Sequence, residues 1–112
     1  MKIALPVKDD YQIARNFEDC ELYQIVTIND KNEPLFVETT DIPKGFDFKT
    51  KMADDLENEG VKVLLVRDIS ADTINILATH GIEVVRSSEG QATELVKHFL
   101  TGKKKDVDLL QL

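Results

Sequence analysis

Residues 52–70 read MADDLENEGVKVLLVRDIS, and the succession of residue types along this stretch decides the fold class. Phe48, Met52 and Leu56 recur at helical spacing and give one apolar stripe. Gly60 stands where a left-handed C-terminal cap belongs. Val61-Lys62-Val63-Leu64-Leu65-Val66 follows almost without a polar residue, the pattern of a strand covered on both faces. Ser70 is placed to cap a second helix, whose apolar face is Ile74, Leu77 and Ala78 and whose end is Gly81. Helix, buried strand and helix together point to a parallel α/β unit.

The same alternation extends in both directions. Toward the C-terminus, Ile82-Glu83-Val84-Val85 reads as another short strand. Ser88 with Gln91 matches a capping box ahead of the stripe Ala92, Leu95, Val96, Phe99 and Leu100, which ends at Gly102. Toward the N-terminus, residues 2–7 (KIALPV), 22–28 (LYQIVTI) and 35–39 (LFVET) read as strands. The last two are joined by an Asn29-Asp30-Lys31-Asn32 turn, as in an antiparallel hairpin. The order β-β-β-α-β-α-β-α predicts a three-layer α/β/α sandwich around a mixed five-stranded sheet in the order 3-2-1-4-5. Val63, Leu65, Ile74, Leu77, Val84, Leu95 and Phe99 are expected in one core. In that order the chain leaves strands one and four in opposite directions. The crevice between their carboxyl ends, flanked by residues 8–20 and by Arg67–Ser70, is the expected ligand position.

Composition bounds the function. A chain of 112 residues with 42% hydrophobic side chains suits one domain. It is read as residues 1–102, followed by a charged and then apolar tail at 103–112. No apolar run approaches the ~20 residues that cross a bilayer, and MKIALPV reads as a strand rather than a secretory signal. The net charge of −7 argues against nucleic acid, whose binders carry basic patches. One cysteine, Cys20, makes no intramolecular disulfide, so a cytoplasmic protein is expected.

MKIALPV, ELYQIVTIND (21–30), MADDLENEGVKVLLVRDIS and ATHGIEVVRSSEGQATELVKHFLTG (78–102) together resemble the dinitrogenase iron–molybdenum cofactor-binding family. The resemblance implies a ribonuclease H-like fold. It also implies a small, non-enzymatic carrier of an iron–molybdenum or iron–sulfur cluster or its precursor. Such a carrier exchanges cargo with a cluster donor or acceptor protein, as a monomer or a homodimer. The family's first loop typically reads His-Phe-Gly, where this chain has Asn16-Phe17-Glu18; its second loop is glycine-rich, where this chain has Arg67-Asp68-Ile69-Ser70. Carried over by position, the cofactor-binding residues are Asn16, Phe17, Cys20, Arg67, Asp68 and Ser70, with Cys20 as metal ligand. The departures keep a second reading open, a diverged member that has lost the metal site and acts as a protein-interaction module.

The residues themselves offer three chemistries. Thiolate is a preferred ligand of iron, so Cys20 is a candidate; standard cluster sites use about four ligands, and a small buried residue at the start of strand two is the plainer role. Lys8, Arg15, Arg67 and the N-terminus of the helix after Ser70 would supply positive surroundings. Asp9, Asp10 and Asp68 lie at neighbouring strand ends, the remote case of a metal-dependent nuclease, although strand one carries no acid. His80 is expected to cap a helix C-terminus and His98 to be exposed.

Overall fold

Apolar residues at every second position make strands and those at every third or fourth make helices. The computed structural model, which describes residues 1–43, 45 and 47–102 and the backbone of 108–109, follows both periods. The strands are β1 (Lys2–Val7), β2 (Leu22–Ile28), β3 (Pro34–Asp41), β4 (Val61–Val66), β5 (Glu83–Arg86) and β6 (Asp108–Leu109). The helices are α1 (Phe48–Asn58), α2 (Ala71–Thr79) and α3 (Ala92–Gly102). The sheet order is β3-β2-β1-β4-β5-β6. The expected order 3-2-1-4-5 therefore holds, and two residues of the tail add antiparallel to β5. The rest of the tail expectation falls on residues 103–107 and 110–112, outside the described residues.

β1 and β4 are the parallel centre of the sheet, with Ile3 opposite Val63 and Ala4 opposite Leu64. Both are covered on two faces, and here the expectation of one core is corrected. The sheet divides it. Leu64, Val66, Val84, Ile74 and Leu77 join Ala4, Met52 and Leu56 on the α1/α2 face. Val63, Leu65 and Leu95 join Ile3, Leu5, Val26 and Val96 on the α3 face, with Phe99 only partly buried beside them. Successive strand side chains point to opposite faces, so a continuous apolar strand feeds two cores.

Local chemistry fixes the helix ends. At the end of α2 the Gly81 N–H donates to Ala78 O and the Ile82 N–H to Leu77 O, both at about 3 Å, while Gly81 adopts φ +75°. This double closure needs a left-handed residue at Gly81. Ser88 does not form the expected capping box. α3 begins at Ala92, and Gln91 is used instead in a bridge to Gln12. Pairing of backbone with the loop after β1 thus overrides the local capping signal.

Leu65 is 1% exposed in the α3-side core. Leu65→Ala is expected to lower the unfolding free energy by about 2–5 kcal/mol, measured by urea denaturation, because the rigid sheet cannot collapse into the void.

Candidate functional site

The chain leaves β1 at Val7 toward β2 and leaves β4 at Val66 toward α2, which opens the crevice expected at this switch point. The two loops flanking it are joined through the backbone. The Asp68 N–H donates to Arg15 O and the Phe17 N–H to Asp68 O, each at 2.9 Å. Ile13 N–H donates to Gly90 O at 2.9 Å and Ala92 N–H to Tyr11 O at 3.0 Å, which fastens the same loop to the start of α3. Buried Ile13 and Phe17 anchor it, one in each core. Tyr11 turns the chain at φ +65° with its ring half exposed.

Of the expected site residues, Asn16 is exposed and reaches Asp19 Oδ2 at 3.4 Å. Phe17 is buried core and offers nothing to a ligand beyond its carbonyl. Asp68 faces Arg15 at 3.5 Å, and Arg67 faces Glu89 at 4.0 Å. Lys8 lies 4.0 Å from Asp10. Ser70 is the N-cap of α2, as the sequence predicts, and accepts from the Thr73 N–H at 3.3 Å.

A residue the carried-over set omits dominates the site. The Glu18 carboxylate lies against the N-terminus of α2. One oxygen, Oε2, accepts from the Ser70 N–H at 3.0 Å, the Ser70 hydroxyl at 3.1 Å and the Thr73 hydroxyl at 2.8 Å. Burial alone would raise the Glu18 pKa; the Ser70 and Thr73 hydrogen bonds outweigh it and hold the group below the ordinary carboxylate value. The positive end of the α2 dipole thereby faces a carboxylate of the protein itself, which takes the N–H of the N-cap residue and two hydroxyls.

Cys20 is partly buried, and its thiol donates to Phe17 O at 3.0 Å. Burial pushes its pKa up to about 12, with Glu18 and Asp19 adding to the rise, so the thiol is protonated at neutral pH. It opens on a cleft of about 490 Å³ that Lys8, Asp9, Arg15, Asn16, Asp19 and Glu21 also line. Three carboxylates there outnumber two basic groups. Arg67 is not among the lining residues, which corrects the expected trio of cations around Cys20.

Residues 1–102 match the family described as dinitrogenase iron-molybdenum cofactor. The chain belongs to this family. It is 31% identical over 106 residues to an uncharacterized protein of Methanocaldococcus jannaschii, across 92% of this chain and 88% of that one. Its fold is similar to the crystal structure of PH0822, with TM-score 0.80 and 22% identity over 98% of this chain and 96% of that one. The apo form of the orange protein from Desulfovibrio gigas gives TM-score 0.76 and 19% identity over 97% and 92%.

Within this family member the donor set does not fit an anionic cluster. The N-terminus of α2 is taken by a carboxylate, and the sulfur is a single protonated thiol among acids. The aspartates of the nuclease reading do not converge either. Asp10 accepts from the Gln12 N–H, Asp68 faces Arg15, and among the described residues only Asp54, Glu57 and His80 gather three metal-type donors, within 4.8 Å. His80 Nδ1 lies 2.9 Å from Ile76 O and Nε2 lies 2.8 Å from Asp54 Oδ1. Those two bonds raise the His80 pKa and make it the expected helix cap, linking α2 to α1. His98 is exposed, as expected.

Glu18 carried a signal in the sequence: an acid four residues before strand two stands where the resemblance leads one to expect a glycine. Its folded pKa is lowered, so its charged contacts stabilise the protein above the ordinary value of 4.5 and are lost as pH falls through the lower folded value. Glu18→Gln is therefore expected to be less stable than the parent in urea titrations at neutral pH. The gap should narrow progressively as the titrations are repeated at lower pH below the ordinary carboxylate value. A gap that does not change with pH would mean that the charge is not what holds the loop.

Proposed function

We propose that this chain is a non-enzymatic protein-interaction module of iron–molybdenum or iron–sulfur cofactor handling, which contacts a cluster donor or acceptor protein and does not itself hold the cluster. One observation carries the reading: the Glu18 carboxylate sits at the α2 N-terminus and takes the Ser70 N–H and the Ser70 and Thr73 hydroxyls. Thiolate-ligated clusters are anionic, and at this position one would meet the negative charge of a carboxylate. Asp9, Asp19 and Glu21 around Cys20 add to the repulsion. A protein partner needs neither a thiolate nor an anion hole.

The carrier reading has one observation in its favour. Cys20 opens on the same cleft as Lys8 and Arg15. Metal coordination displaces a thiol proton, and a cluster arriving with its own ligands needs fewer from the protein.

Anaerobic titration with a preformed iron–sulfur cluster, read by absorption and by metal analysis after desalting, separates the two. The wild type and Cys20→Ser are both expected to emerge without bound iron, while Glu18→Gly, which frees the α2 N-terminus, is expected to retain more than either. Stoichiometric iron on the wild type that Cys20→Ser loses would overturn the interaction reading in favour of the carrier.

A further inference from the structure

We propose that Asp54, Glu57 and His80 form a site for one divalent first-row transition-metal ion of the zinc class, which ties α1 to the end of α2. Their side chains bring one nitrogen and two carboxylate oxygens within 4.8 Å of one another. The donor atoms of a tetrahedral zinc site, bound at about 2.0–2.2 Å, lie roughly 3.3 Å apart. Nε2 of His80 is 2.8 Å from Asp54 Oδ1, and both carboxylates are exposed, so a small side-chain rotation opens that spacing. The site stands at the far end of α2 from Glu18, about 15 Å along the helix. It is independent of what the crevice holds.

The fold presents these donors in fixed places. Asp54 and Glu57 are three residues apart on α1 and share one exposed face. His80 is the C-cap of α2, where its N–H donates to Leu77 O at 3.0 Å ahead of the Gly81 turn. The ring is also held from behind. Nδ1 lies 2.9 Å from Ile76 O and 3.2 Å from the Thr79 hydroxyl, which itself donates to that carbonyl at 2.7 Å. Both oxygens accept, so Nδ1 carries a proton and Nε2 is the nitrogen turned to the carboxylates. Metal-ligating histidines are oriented in this way, by a second nitrogen that donates to a backbone carbonyl and fixes ring and tautomer. Charge points to the same class of ligand. Two carboxylates and a neutral imidazole leave two negative charges for a divalent ion to cancel, while Lys49 and Lys51 of α1 are engaged with Asp72 and Asp47. A nitrogen among the oxygens selects transition ions over Mg²⁺ and Ca²⁺, which prefer oxygen alone. On binding, the ion takes the Nε2 lone pair and a proton held there passes to water.

Isothermal titration of the full chain with zinc chloride is expected to show one ion per chain, and excess Mg²⁺ should not displace it. Nitrogen NMR of the imidazoles should show Nε2 of His80 shift on zinc addition while His98 stays in place. Glu57→Gln and His80→Gln should each weaken zinc by about tenfold or more, and His98→Gln should not. Zinc should raise the melting temperature of the wild type more than that of Glu57→Gln. Circular dichroism confirms the fold of each variant. Glu57→Gln changes only an exposed side chain and serves alone if His80→Gln, which also loses the tie to Ile76 O, unfolds. A wild type that binds no zinc would overturn the proposal. Zinc binding untouched by Glu57→Gln, or displaced by Mg²⁺, would overturn it too, because the ion would then sit elsewhere or be gathered by surface charge alone.

Discussion

β1 and β4 run side by side and parallel, and each is sealed on both faces, by α1 and α2 below and by α3 above. Parallel strands cannot be joined by a tight turn, so the chain must leave this pair by opposite routes. One route goes from Val7 through a loop to the antiparallel hairpin of β2 and β3, the other from Val66 through α2 to β5. Everything functional in the molecule follows from that constraint. It opens the crevice, brings residues 15–18 against 67–70, and points the N-terminus of α2 into the gap between them.

What fills the gap is an electrostatic choice. A helix N-terminus carries unpaired N–H groups and a partial positive charge, and an anion near it is stabilised whether it comes from a ligand or from the protein. In this chain Glu18 supplies the anion. The same carboxylate helps keep the Cys20 thiol protonated, so one side chain alters both of the features that would recommend the crevice to a metallocluster. The family's fold persists because it rests on apolar periodicity and on the glycine-closed end of α2. The site can change without touching either.

The edge of the sheet poses a separate problem. Three helices cover the centre of the sheet, and β3 lies beyond their reach. Its apolar residues are therefore exposed on both faces beside a row of open backbone groups. Such a surface is stable in solution only if it is shielded by charge or paired. Pro34 at its start, the irregular pairing opposite Ile28 and Glu38 at mid-strand are features that shield such an edge.

Sequence alone determined the elements, because period and punctuation are local: the continuous VKVLLV of β4, the stripe of α3, Ser70 before α2 and Gly81 after it. It also determined the strand order, since short turns and helical crossovers leave few ways to arrange five strands. It placed the two loops of the crevice beside each other for the same reason. The tertiary structure decided the rest. The division into two cores depends on which face each strand residue takes. The release of Ser88 from its capping role depends on a bridge between Gln12 and Gln91, far apart in the chain. The meaning of Glu18 depends on Ser70 and Thr73, which lie more than fifty residues away in sequence and are brought to 2.8–3.1 Å only by the parallel pairing of β1 with β4. A hydrogen bond of that kind has no period and no local motif; it exists only once the sheet has formed.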